Sequence, residues 1–107
     1  MNSIISTLSA LERQTVLECL LAAEQEEFFP EWEFETLFGM ARNQLVCVRE
    51  QWPEVDFDQP NVGAAIIGSM NHLLWYPHVP DGRWERHISV RREVVQSTMN
   101  KLISLGL

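Results

Sequence analysis

Phe34, Leu37, Phe38, Ala41, Leu45, Val48 and Trp52 recur at intervals of three and four residues, and the run stops at Pro53. An α-helix turns every 3.6 residues, so this spacing puts the apolar side chains on one face. Such a stripe needs a second apolar surface to cover it, which commits the chain to helices packed on helices. The residue before a proline avoids helical backbone, so a helix is expected over 33–51. Leu37 and Leu45 are expected in its core.

Three more segments carry the same signature. In the first, Leu8, Leu11, Thr15, Cys19, Leu20 and Ala23 share a face, and Leu17 and Leu21 widen it. Ser9 followed by Glu12 has the pattern of a capping box, in which each side chain satisfies a backbone N–H at the helix start. A helix is expected over 9–26. Val62, Ala65, Ile66, Ser69, Met70 and Leu73 mark a third helix over 60–75, with Asp58 or Asn61 as its cap. Gly63, Ala64 and Gly68 thin its surface and would let a neighbour come close, so this helix is expected at the centre. Val90, Val94, Thr98, Leu102 and Leu105 mark a fourth over 89–104, started by Ser89 and stopped near Gly106. Short connections favour antiparallel neighbours. The expected fold is therefore all-α, a compact bundle of about four helices in one domain spanning 1–107.

With 107 residues, 46% of them apolar, the chain can bury roughly two thirds of the surface its unfolded form exposes, without metal or disulfide staples. The N-terminus has no basic start, apolar stretch or cleavage site of the secretory kind, and no apolar run approaches the length needed to span a bilayer. A cytoplasmic location follows as the expectation, with no membrane partner. Cys19 and Cys47 both occupy apolar helix positions, where a reduced cysteine acts as a small hydrophobe; a disulfide is the less favoured alternative.

Charge separates the two halves. Residues 1–58 hold 12 acids and 3 bases; residues 59–107 hold 3 acids and 5 bases. An acidic half repels nucleic acid, and the remainder is too weakly basic to bind it. An acidic face suits a basic protein, because attraction raises the encounter rate. The charge concentrates in residues 24–35, where six carboxylates and four aromatic rings share twelve positions. Either this is a docking surface, with carboxylates steering and an aromatic anchoring, or it is a solvated corner whose aromatics face the core. Residues 71–84 hold Trp75, Tyr76, His78 and Trp84 among prolines. They form either a rigid recognition surface or a loop that closes the end of the bundle.

The patterns that carry chemistry are missing. His72, His78 and His87 lack ligand spacing, so no metal is expected. The cysteines sit on predicted core faces, Ser69 lacks the Gly-x-Ser-x-Gly turn, and there is no phosphate loop. No catalytic residue or cofactor is expected, and the chain reads as a binding protein rather than an enzyme.

Size, acidity, the acidic segment 24–35 and the helix ending in Trp75-Tyr76-Pro77 together resemble the bacterial immunity proteins. These include the inhibitors of colicin nucleases, which carry Tyr-Tyr-Pro at the corresponding kind of helix end, and the immunity proteins of contact-dependent inhibition systems. The third helix here is longer than in the colicin-type inhibitors, and the spacing between the two segments differs. The resemblance implies an inhibitor that neutralises a basic toxin domain, a nuclease above all, by charge mimicry. The residues expected to meet that partner are Glu26, Glu27, Glu31, Trp32, Glu33, Glu35, Trp75, Tyr76 and His78. The alternative is a homodimeric interaction or regulatory module with no toxin partner.

Overall fold

The computed structural model describes residues 3–25, 29–75 and 86–107. Among these the chain is all-helical, without strands. Six helices follow in order: α1 (Ser3–Thr7), α2 (Ala10–Ala23), α3 (Glu31–Phe38), α4 (Arg42–Gln51), α5 (Pro60–Trp75) and α6 (Arg92–Ser104). No helix among the described residues is long and apolar enough to cross a membrane.

The expected helix over 33–51 is in fact two. Gly39 ends α3 with left-handed backbone (φ +70°) and donates its N–H to Glu35 O at 2.9 Å. That conformation is open to glycine and costly for other residues. Ala41 then runs extended, and its N–H donates to the Gln44 side chain at 2.8 Å, which starts α4. Met40 fills the bend and is buried. The apolar spacing survives the break, which is why periodicity alone reads as one helix. Proline acts as expected further on: Trp52 is extended and α4 stops at Gln51.

Ser9 and Glu12 form the expected capping box, at 2.8 and 3.1 Å. The other two caps differ from expectation. Helix α5 opens on Pro60, which has no N–H to leave unpaired there. Asp56 instead accepts the Asp58 N–H at 3.0 Å, in a turn of its own. Ser89 does not start α6, whose cap is Arg91. Its N–H and hydroxyl both donate to Glu18 on α2, at 2.6 and 2.9 Å. The helix starts two residues later than its spacing suggests, out of reach of a cap at Ser89, and Ser89 instead ties α2 to the segment that leads into α6.

Helix α5 is central, packing against α2, α3, α4 and α6. A methyl group on Gly68 would sit 3.2 Å from the Phe38 ring, so this glycine admits α3 to close range. Helix α6 runs antiparallel to α5: Arg92 donates to the carbonyls of Leu73 and Leu74 at the end of α5, while Leu107 lies beside Gly63 near its start. It also runs antiparallel to α2, since Lys101 bonds Glu12 and Thr7 O while Ser89 meets Glu18.

The core draws Leu20, Phe29, Phe34, Leu45, Ile66, Met70, Leu73 and Leu102 into one apolar cluster. Several expected core positions lie elsewhere. Leu11 and Leu21 are exposed, Leu37 is half-buried, and Cys47 is exposed on α4. On α6 the buried residues are Val95 and Met99 with Thr98 and Leu102, while Val94 is half-buried. Cys19 is buried as expected. Burial above all, with the Glu18 charge second, pushes its thiol up to about 12, so it stays protonated and weakly nucleophilic at neutral pH.

Glu12 has a consequence for acid stability. Its hydrogen bond to Lys101, then the Ser9 N–H, holds its carboxyl below the ordinary 4.5. A carboxyl depressed in the folded state stabilises the fold above its unfolded value and loses that contribution as pH falls through its folded value. Glu12→Gln is therefore expected to flatten the fall in stability below pH 4.5. Urea midpoints measured across this range test it. Equal slopes in the two proteins would remove Glu12 from the acid response.

Candidate functional site

The acidic segment is organised by a residue outside it. Arg42, at the first position of α4, reaches back across the connection between α2 and α3. Its Nη1 donates to Glu24 O at 2.7 Å, its Nη2 donates to Phe29 O, and its Nε donates to Glu31 Oε2 at 2.9 Å. The guanidinium lies 4.4 Å over the Phe34 ring. Only 14% of the Arg42 side chain is exposed, against 62% for Glu31. Arg49, two turns further along α4, pairs with Glu24 at 3.2 Å. Two of the six carboxylates therefore hold the corner together.

The aromatics divide. Phe29 and Phe34 are fully buried; Phe34 stacks on Phe38 at 4.4 Å, and Phe29 meets the same ring edge-on at 5.3 Å. Trp32 is 77% exposed. Along α3, residues 31, 32, 35 and 36 are exposed while 34 and 38 are buried. Glu31, Trp32, Glu35 and Thr36 thus share the outer face, and Glu33 sits half-buried at its edge. Among the described residues, no basic side chain pairs with Glu33 or Glu35. The expectation of a solvated corner with its rings inside holds for Phe29 and Phe34 and fails for Trp32, while Phe28 lies outside the described residues.

Of the other residues expected to meet a partner, Glu26, Glu27, Tyr76 and His78 lie outside the described residues. Trp75 ends α5 with 69% of its surface exposed. It borders a groove of about 340 Å³ between α5 and α6, lined also by Leu74, Arg92, Glu93 and Gln96. Two separate aromatic surfaces therefore exist, one on α3 and one at the end of α5.

His72 is structural. Its Nε2 lies 2.8 Å from Leu37 O, and its ring packs edge-on against Phe38 at 5.0 Å, joining α5 to α3. No group of three potential ligands is placed to hold a metal among the described residues. Arg42 and Arg49 had no local signal: their partners lie 11 to 25 residues away. Comparison with family models, curated proteins and solved structures finds no match.

Proposed function

We propose that this chain is an immunity-type inhibitor of the bacterial cytoplasm, which binds a basic toxin domain, in the first place a nuclease, through the outer face of α3. The observation that carries the reading is Trp32, a large apolar ring held in solvent on a short helix between carboxylates. Leaving that ring in water forfeits the stabilisation that burying its apolar area would bring, and binding to a partner recovers it. Exposed tryptophans flanked by charge are typical anchors of protein interfaces. The corner behind it is braced by Arg42, so the face is presented without an ordering cost on binding.

The expected kinetics separate the two kinds of residue. Converting Glu31, Glu33 and Glu35 together to Gln slows association with the cognate toxin domain about tenfold or more at low salt, and the loss fades as screening shortens to roughly 8 Å at physiological ionic strength. Trp32→Ala acts on dissociation instead, by about 2 kcal/mol. The partner to test is the C-terminal domain of a toxin encoded directly upstream. Unchanged association of the triple variant at low salt would reduce the acidic face to a solvated one.

One observation favours a second reading, a helical module that pairs with its own copy. Trp75 is 69% exposed beside a groove between α5 and α6. Sedimentation would then show a dimer that Trp75→Ala dissociates, and no toxin gene would neighbour this one.

A further inference from the structure

We propose that the partner's anchor at the centre of the α3 face is an arginine, stacked on Trp32 and paired with Glu35; this rests on the inhibitor reading above. The geometry narrows the three candidate carboxylates of α3 to one. Glu31 already holds Arg42 at 2.9 Å, and Glu33 is half-buried at the edge. Glu35 is exposed, unpaired among the described residues, and three positions along the helix from Trp32. Side chains three apart are neighbours on a helix surface. A cation over the indole is therefore also within reach of this carboxylate.

The protein already seats one arginine between a ring and a carboxylate of this helix. Arg42 lies 4.4 Å over Phe34 and binds Glu31, again an aromatic and a carboxylate three positions apart on α3. A guanidinium satisfies both at once because it is flat: its face stacks on the ring while its edge donates to the carboxylate. A lysine ammonium is a compact, strongly hydrated charge and stacks less well. Trp32 and Glu35 offer the same two kinds of group at the same spacing, in the reverse order along the helix. Tryptophan, the best ring for a cation, takes the part that phenylalanine plays for Arg42.

The test uses the full chain and two short peptides, one alternating glycine with arginine and the other glycine with lysine. The readout is the indole N–H resonance of Trp32, assigned by its loss in Trp32→Phe. The arginine peptide is expected to move this resonance and to bind about two- to fivefold more tightly than the lysine peptide. Glu35→Gln weakens the arginine peptide, and Trp32→Ala, titrated through the backbone amide resonances of α3, removes its advantage. Equal affinity for both peptides, or binding that leaves the Trp32 resonance in place, overturns the arginine anchor. If both peptides bind equally and lose affinity in the triple Glu→Gln variant, the basic-partner reading stands while the arginine assignment falls.

Discussion

Phe34→Ala is expected to destabilise the fold by about 3–5 kcal/mol. The ring is fully buried, stacks on Phe38 and supports the Arg42 guanidinium. Its removal leaves a cavity beside Phe38 and Arg42. Leu45→Ala, in an equally enclosed position, is expected to cost roughly 2–5 kcal/mol. Leu37→Ala should cost less than either, because Leu37 is only half-buried. The measurement is the urea midpoint at constant slope. A loss below about 1 kcal/mol for Phe34→Ala, the scale of a surface site, would place the ring outside the core.

The second large effect belongs to Arg42. Arg42→Met keeps the apolar stem and removes the hydrogen bonds to the carbonyls of Glu24 and Phe29. Losing a charged donor to a partly buried carbonyl costs about 1–3 kcal/mol each, so a total of roughly 2–6 kcal/mol is expected. Glu31→Gln removes only the exposed partner and should cost less than about 1 kcal/mol. The contrast decides what the arginine does. If the two variants lose equal stability, the ion pair rather than the carbonyl clamp holds the corner. In the proposed function Arg42→Met also slows binding, since the face it braces must then be ordered by the partner.

These two residues differ in how far the sequence announces them. Phe34 stands in the clearest helical repeat of the chain, and its burial follows from spacing alone. Arg42 stands in the same stretch with no pattern to mark it. Its acceptors are two carbonyls and a carboxylate on another part of the chain, and hydrogen bonds between distant segments leave no periodic trace. Ser89 is a related case. It has the right residue type for a helix cap, yet α6 starts two residues further on, and folding brings the Glu18 carboxylate beside its N–H and hydroxyl.

The break at Gly39 shows how a periodic reading can be right about a face and wrong about an element. Apolar spacing records which side chains point inward, and a bent pair of helices can keep the same side inward. Gly39 and Gln44, three residues beyond Ala41, were the available signs of a stop and a start. The segment 24–35 divides on the same principle. Composition establishes that it is acidic and aromatic. It does not distinguish Phe29 and Phe34 from Trp32, because all four rings there are apolar enough to be buried and only the surrounding helices decide which ones find room.

What the sequence by itself determined is the helical class, the capping box at Ser9, the extent of α5 and its central place, and the enclosure of Cys19, Leu20, Leu45 and Leu102. Each of these depends on contacts within a few residues or on which side of a helix is apolar, and both are written in local spacing. Only the tertiary structure decided that α3 and α4 are separate, that Cys47 and Leu11 face outward, that Arg42 and Arg49 consume Glu31 and Glu24, and that Trp32 is the ring left in solvent. Those outcomes depend on which surfaces meet when four helices compete to cover α5. An arginine pairs, or a tryptophan is left uncovered, according to neighbours that are distant in sequence.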